Sequence, residues 1–204
     1  MALGRRNTIG YAARCLVAAA LSLTATSALA HTGGNVNGLA AGLMHPISGL
    51  DHIIAMVAVG LWGGILGGQA LWVLPITFPL IMAFGGVLGV LGVPVPGIEV
   101  GIPVSGIVLG LMILFSVRVP LWAATVMVGI FAIFHGYAHG AELPRSVDPV
   151  VFAAGFVIAT GFLHLMGIAI GLAVRWPWGK IAVRLVGLVI SALGFGFLSG
   201  MIVA

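Results

Sequence analysis

Six long apolar stretches constrain the fold of this chain more than any other feature of its sequence. Each is close to the ~20 residues that a helix needs to cross the hydrocarbon core of a bilayer. They cover residues 47–67, 70–92, 99–117, 120–141, 149–174 and 181–203, and prolines, glycines and a few charged residues separate them. Only 6% of the residues are charged, whereas soluble globular domains carry about 25%. We therefore predict an all-α integral membrane protein, folded as a bundle of six transmembrane helices.

The N-terminal segment is predicted to be a cleaved signal peptide. Three arginines precede the apolar stretch CLVAAALSL, and the alanines of ATSALA fit a small-x-small cleavage site. An uncleaved anchor helix is the alternative, but the apolar stretch is shorter than the ~20 residues of a span. Cleavage after Ala30 gives a signal peptide, residues 1–30, and a transmembrane domain, residues 31–204, that begins at His31.

The charged residues predict the orientation of the bundle. A cleaved signal leaves the mature N-terminus outside, which puts the connections near residue 118 and at residues 175–180 in the cytoplasm. Basic residues favour that side of a membrane. The predicted inner side carries Arg118, Arg175, Lys180 and Arg184, and the outer side carries Arg145, Asp51, Glu99, Glu142 and Asp148. Because Asp148 precedes a proline, we expect it to cap a helix. The basic residues form no patch suited to nucleic acid, so the lipid bilayer is the expected partner.

Every apolar run also contains two glycines four residues apart. The pairs are Gly60 and Gly64, Gly85 and Gly89, Gly106 and Gly110, Gly136 and Gly140, Gly167 and Gly171, and Gly196 and Gly200. Small residues at this spacing let helix backbones approach closely in lipid. The pattern predicts one tightly packed bundle.

Histidines lie where a lipid-exposed chain should have none, and ionisable residues inside a bilayer are functional candidates because they are costly there. In the motif HPISGLDH, His45 and His52 flank Asp51. If one helix continued through Pro46, the two imidazoles would lie within about 20° of one face. The proline equally allows a break at HPISG, with a short helix before it.

Two further motifs extend the set. In FHGYAHGAELP, His135, His139 and Glu142 share one predicted helix face, where two imidazoles can bind one ion and a carboxylate can assist. In ATGFLHLMG, Thr160 and His164 lie four residues apart and deeper in their run. The alternative for the first two motifs is a polar network that only holds helices together. For His164 it is a hydrogen bond to Thr160 or to a backbone carbonyl.

The ligand types narrow the choice of metal. The only cysteine, Cys15, lies in the predicted signal peptide, so the mature chain offers imidazole and carboxylate but no thiolate. This set suits Ni²⁺, Co²⁺ or Zn²⁺ rather than Cu(I). His31, with its imidazole and a free α-amine, is a further candidate ligand. No nucleotide-binding loop and no prosthetic group are expected. An inside-negative potential of 100 mV would supply about 4.6 kcal/mol to a divalent cation.

The motifs HPISGLDH, AVGLWGG, HGYAHGAELP and TGFLHLMG resemble those of the HupE/UreJ family of hydrogenase and urease accessory membrane proteins, over essentially the whole mature chain. The resemblance implies a secondary permease of the bacterial cytoplasmic membrane that takes up Ni²⁺, or Co²⁺ as a relative does. It also implies hydrogenase or urease maturation proteins as partners. By this resemblance, the first histidine motif contributes His45, Asp51 and His52, and the second contributes His135, His139 and Glu142.

Two other functions stay open at the level of the residues. One is an intramembrane metal-dependent hydrolase, in which histidines hold Zn²⁺ and a carboxylate activates a bound water. The other is an accessory factor that delivers metal without net transport. We expect transport and no enzymatic activity, and the sequence makes no prediction of the oligomeric state.

Overall fold

The computed structural model describes residues 34–143 and 147–202, and within these ranges it is helical with no strand. The predicted signal peptide, His31 and Arg145 lie outside the described residues. The α-helices are α1 (Gly34–Ser48), α2 (Leu50–Leu66), α3 (Ala70–Val90), α4 (Ile98–Leu114), α5 (Leu121–Ala141), α6 (Pro149–Gly171) and α7 (Pro177–Leu198). A 3₁₀ turn, Leu172–Arg175, joins the last two. The predicted all-α class is confirmed.

Several of these helices are long and apolar enough to span a bilayer. By length and composition, α3, α5, α6 with its following 3₁₀ turn, and α7 qualify alone, and α1 with α2 qualifies as a fifth, bent span. Helix α4 coincides with a predicted run but has 17 residues, which is at the short end for a span. The structure therefore supports a multi-pass membrane protein with four or five clear spans, while the count of six stays a prediction.

The first histidine motif lies on a broken helix. Helices α1 and α2 meet at an angle of 81°, and Gly49 between them is extended, with φ −101° and ψ 123°. Pro46 in the last turn of α1 has no N–H to donate, which weakens the helix where it ends. The expectation of one continuous helix face for His45 and His52 is wrong, and the alternative break at HPISG is confirmed.

The helices pack in pairs that are distant in sequence. Helix α2 packs along α6, α3 along α5, and α4 along α7, while α1 lies against the first part of α6. Glycines make these approaches close: a Cβ on Gly60 would overlap the backbone carbonyl of His164, and one on Gly136 would overlap that of Met82. The predicted close contacts are confirmed at both glycines of four runs. In the run 99–117 they are confirmed at Gly110, whereas a Cβ on Gly106 would meet its neighbours at ordinary contact distance.

The last run is the exception. The nearest atoms to a Cβ on Gly196 belong to the Ile202 side chain, and Gly200 follows α7 with φ 71° and open space around it. Gly187 and Gly194 contact α4 instead. These two glycines are almost two helical turns apart and so share a face. The prediction of Gly196 and Gly200 as the packing pair is wrong because the second glycine lies beyond the end of α7.

Asp148 caps α6 as predicted. Its Oδ1 accepts hydrogen bonds from the backbone N–H groups of Val150, at 2.8 Å, and Val151, at 3.2 Å, and Pro149 takes the first helical position. Two N–H groups that the helix itself cannot pair are thereby satisfied.

Apolar side chains cover the outside of the bundle, and polar histidines lie in its interior. Large apolar side chains face outward, including Phe115, which is 66% exposed, and Trp122, which is 71% exposed. By contrast, His52, His135 and His164 are each 1% exposed. Exposed apolar side chains suit a lipid surround, whereas the buried imidazoles are candidates for a functional site.

Candidate metal-binding site

Three imidazoles from three helices form a hydrogen-bonded chain. His45 Nε2 lies 2.8 Å from His139 Nδ1, and His139 Nε2 lies 2.9 Å from His52 Nδ1. The break between α1 and α2 makes this possible, because it places His45 in the last turn of one helix and His52 in the first turn of the next. His139 on α5 then reaches both.

Glu142 extends this chain into a candidate metal site. One ligand atom each of His45, His139 and Glu142 lies within 4.8 Å of the other two. We call these three residues the mouth site. Nitrogens bound to one ion at about 2.0–2.1 Å lie roughly 3 Å apart when they are neighbours in the coordination sphere. The 2.8 Å between the His45 and His139 nitrogens is therefore close to a ligand separation.

His135 belongs to a deeper level than His139. Its Nδ1 lies 2.9 Å from the carbonyl of Phe131, and since a carbonyl only accepts, Nδ1 carries the proton. The lone pair therefore lies on Nε2, which is buried and has no hydrogen-bond partner among the described residues. His52 Nε2 is buried and unpartnered in the same way. The rings of His52 and His135 lie 5.9 Å apart, and we call these two residues the deep pair.

The helix-face prediction grouped the histidines of α5 differently. It placed His135 and His139 at one ion, with Glu142 as a third ligand or as a partner of a ligand. The structure instead places His139 and Glu142 with His45, and His135 beside His52. One turn of helix separates the two α5 histidines, and α1 supplies a partner only at the level of the second. Metal binding by any of these residues stays a prediction.

A cleft of about 460 Å³ joins the two levels. Four imidazoles and three carboxylates line it: His45, His52, His135, His139, Asp51, Glu99 and Glu142. Glu99 and Glu142 are exposed, Asp51 is half-buried, and the deep pair is buried, so the charge lies towards the mouth. The carboxylate of Asp51 lies in the first turn of α2, where the helix N-terminus favours a negative charge.

Aromatic rings hold the imidazoles in place. The ring of Phe156 lies 5.1 Å from that of His52 and 5.0 Å from that of His139, and Phe152 lies 5.4 Å from His45. Phe78 contacts His135 at 5.7 Å. The sequence analysis named none of these phenylalanines. The four-residue spacing of Phe152 and Phe156 on α6 was a signal, but lipid-facing aromatics show the same spacing.

His164 lies outside the lining of the cleft. Neither of its ring nitrogens has a hydrogen-bond partner in the described part of the chain, and the hydroxyl of Thr160 has none either. The expected alternative, a hydrogen bond from His164 to Thr160 or to a backbone carbonyl, is therefore not formed. The ring of Phe78 lies 5.8 Å from that of His164. Phe78 therefore contacts His135 of the deep pair and also His164.

Comparison with known proteins covers all of these residues. The chain matches the HupE / UreJ protein family over residues 19–197. It is 42% identical over 182 residues to Protein HupE of Rhizobium leguminosarum bv. viciae, an alignment that covers 89% of this chain and 95% of that protein. No solved structure matches the chain.

Proposed function

Because the chain belongs to the HupE/UreJ family, we propose that it is a secondary permease that takes up a divalent transition metal, Ni²⁺ or Co²⁺, to supply hydrogenase or urease maturation. The convergence of His45, His139 and Glu142 carries the proposal. His45 lies on α1, His139 on α5 and Glu142 directly after α5, and they meet at the mouth of a carboxylate-lined cleft in an apolar bundle.

The chemistry of the mouth site supports a transition metal as the substrate. Two imidazole nitrogens and one carboxylate oxygen suit Ni²⁺, Co²⁺ or Zn²⁺ better than Mg²⁺ or Ca²⁺, which prefer oxygen ligands alone. The cleft also has room for an ion that arrives with its water. Six waters at about 30 Å³ each occupy roughly 180 Å³, well below the 460 Å³ of the cleft.

We propose the following path. Glu99 and Glu142, both exposed at the mouth, attract the cation electrostatically. At the mouth site, hydration waters are exchanged for imidazole and carboxylate, and the hydrogen bond between His45 and His139 opens to admit the ion. Asp51 offsets part of the ion's charge as the ion moves to the deep pair.

The free energy for uptake comes from the membrane potential in this proposal. An inside-negative potential of 100 mV favours entry of a divalent cation by about 4.6 kcal/mol. Trapping of the ion by maturation proteins in the cytoplasm would add to it. The proposal places the chain in the cytoplasmic membrane of a bacterium, in six spans after a signal peptide of residues 1–30, with the mature N-terminus and the cleft outside.

Ion flux tests the proposal directly. The purified chain is reconstituted in vesicles that contain a metal-sensitive dye, and Ni²⁺, Co²⁺ or Zn²⁺ is added outside, with and without an inside-negative potential. We expect saturable entry that the potential accelerates, and none in protein-free vesicles. Tight metal binding without flux would instead favour a delivery factor. Hydrolysis of lipid or peptide with the metal retained would favour the intramembrane hydrolase.

A further inference from the structure

We propose that His164 and Thr160 form a second, carboxylate-free metal station, which an ion reaches from the deep pair by passing the ring of Phe78. We call His164 and Thr160 the inner station. The inference rests on the proposed function, since the ion it binds is the transported one, and it adds a site below the cleft and a barrier in front of it.

The inner station lies deeper in the bundle than the cleft, as positions along both α6 and α2 show. On α6, Phe156 contacts the imidazoles of the cleft, and Thr160 and His164 follow on the same face at steps of four residues. Eight residues of helix put His164 about 12 Å further along α6 than Phe156. Helix α2 gives the same depth, because the backbone of His164 meets Gly60, eight residues after His52.

The polar atoms of the inner station are open to a ligand. His164 is 1% exposed and Thr160 is 0% exposed, and neither side chain has a hydrogen-bond partner among the described residues. A buried polar group without a partner destabilises a fold, and an apolar residue at either position would avoid this cost. Two such groups four residues apart on one helix face are explained if they bind a ligand that passes through.

Phe78 stands where the path leaves the deep pair. Its ring is fully buried and contacts His135 at 5.7 Å and His164 at 5.8 Å. The free Nε2 of His135 marks the last ligand before this ring. Because Phe78 offers no ligand atom and its ring contacts both imidazoles, we assign to this ring the barrier between His135 and His164.

The helix that carries Phe78 is built to deform at this point. Pro75 and Pro79 both lie inside α3, and neither has an N–H to donate to the carbonyl four residues earlier. The carbonyls of Leu71 and Pro75 therefore lack this helical hydrogen bond, and the segment that leads into Phe78 bends at lower cost than the rest of α3. We assign to this segment the movement that admits the ion.

The ligand chemistry predicts weaker binding at the inner station than at the mouth site. Glu142 offsets part of the ion's charge at the mouth, whereas His164 and Thr160 are neutral ligands in a buried position. A buried charge without a counter-ion is unfavourable. An ion at the inner station is therefore released readily, which suits the exit side of a pathway.

Co²⁺ binding to the purified full-length chain tests the inner station, with vesicle flux measured on the same variants. For the wild type we expect two Co²⁺ per chain, a tight one in the cleft, where a single ion passes between the mouth site and the deep pair, and one at the inner station that binds at least about tenfold more weakly. His164→Ala should lose only the weaker step and reduce flux, and His45→Ala should lose the tight step. Leu163→Ala, a neighbouring buried side chain on α6, is the matched control and should keep both steps.

Several outcomes would overturn the inner station. A wild-type chain that binds one Co²⁺, or a His164→Ala variant that binds and transports as the wild type does, would each refute it. If His164→Ala does not fold, as its thermal melting would show, Thr160→Val gives the same test with nearly unchanged volume, and wild-type binding and flux by Thr160→Val then count against the proposal.

The barrier is tested by Phe78→Leu, which keeps an apolar side chain but shortens it. We expect faster flux and weaker discrimination between Co²⁺ and Mg²⁺, while Leu74→Ala, one turn away and equally buried, leaves discrimination unchanged. Unaltered flux and discrimination in Phe78→Leu would remove Phe78 from the path. Two binding steps without any wild-type flux would instead refute the proposed transport and leave the inner station standing.

Discussion

The mouth of the cleft and the crossing of α2 with α6 place histidines in opposite surroundings. At the mouth, His45 and His139 lie near helix ends, and hydrogen bonds of 2.8 and 2.9 Å join them to each other and to His52 of the deep pair. At the crossing, His164 lies in the middle of α6 and has no partner in the described ranges. There the backbones are held by glycines, since Gly60 meets the carbonyl of His164.

A helix bundle can hold a polar side chain at the end of a helix or at a crossing of two helices, and the two positions differ in rigidity. Helix ends leave room for side chains to rearrange, because the backbone beyond them is not committed to regular hydrogen bonds. A crossing of two backbones at glycines is rigid, because any shift would bring main-chain atoms into overlap. We therefore expect the mouth site to adapt to an incoming ion, and the crossing to hold His164 in one place.

The largest effect is expected from His139→Ala, which removes the centre of the imidazole chain. His45 and His52 both lose their hydrogen-bond partner, and the mouth site loses one of its three candidate ligands. Metal uptake should fall more than about 100-fold, beyond the usual effect of altering a residue next to a ligand. The measurement is vesicle flux at equal protein content.

Two further variants sharpen this result. Trp122→Leu, at a lipid-exposed position of the same helix, should transport as the wild type does. The double variant His45→Ala with His139→Ala should be no worse than the more damaged single variant, because residues that act as one unit are not additive. Clearly additive losses would show that the two histidines do not serve one ion.

Asp51→Asn should have the next largest effect. The amide keeps the size of the side chain but removes a negative charge from the lining of the cleft. We expect uptake at limiting metal to fall roughly 10–100-fold, as for other changes next to metal ligands. The same carboxylate stabilises the start of α2, so the amount of folded protein in the membrane must be compared. Uptake equal to the wild type at equal amount would refute a role for Asp51.

The close packing of α2 against α6 is tested by replacing a glycine of α6 with alanine, which adds one carbon. A Cβ on Gly167 would overlap the carbonyl of Val57, whereas a Cβ on Gly161 of the same helix would meet no atom within 4 Å beyond its own stretch of helix. Gly167→Ala should therefore destabilise the fold by about 1–3 kcal/mol, which is typical of overpacking. Gly161→Ala should be neutral or slightly stabilising. Unfolding of the purified variants in detergent measures both, and equal stabilities would contradict a rigid crossing.

The sequence predicted where the helices lie along the chain better than which helices pack together. Apolar runs located α2 to α7 because lipid demands long stretches without charge, and paired glycines showed where backbones approach in five of the six runs. Neither signal states which helix meets which. The pairing of α2 with α6, which brings His164 to Gly60, depends on packing between segments about 100 residues apart.

The sequence analysis named the histidines and carboxylates of the candidate site, but it did not predict which of them lie together. Helical spacing grouped His135 with His139, because periodicity describes one helix at a time. The structure divides them, since the break at Gly49 brings His45 to the level of His139. The aromatic side chains around the imidazoles carried no distinguishing signal, because a phenylalanine in an apolar run serves equally well against lipid.

The smallest effect is expected from His31→Ala, which asks whether the mouth site extends beyond the described residues. Eleven residues separate Gly34, where α1 begins, from His45, and this is about 16 Å of helix. A terminal imidazole and α-amine at residue 31 would therefore act as a separate capture group for metal and not as a fourth ligand of the mouth site. Uptake by His31→Ala should be reduced only at low external metal, and the deficit should disappear as the metal concentration rises, since capture then no longer limits entry. Thr32→Ala is the neighbouring control.

Mass spectrometry of the mature chain comes first, because an N-terminus at any other residue separates the amine from the imidazole and rules out this form of capture. With cleavage after Ala30 established, equal uptake by the two variants at limiting metal would confine metal capture to the carboxylates and imidazoles of the cleft.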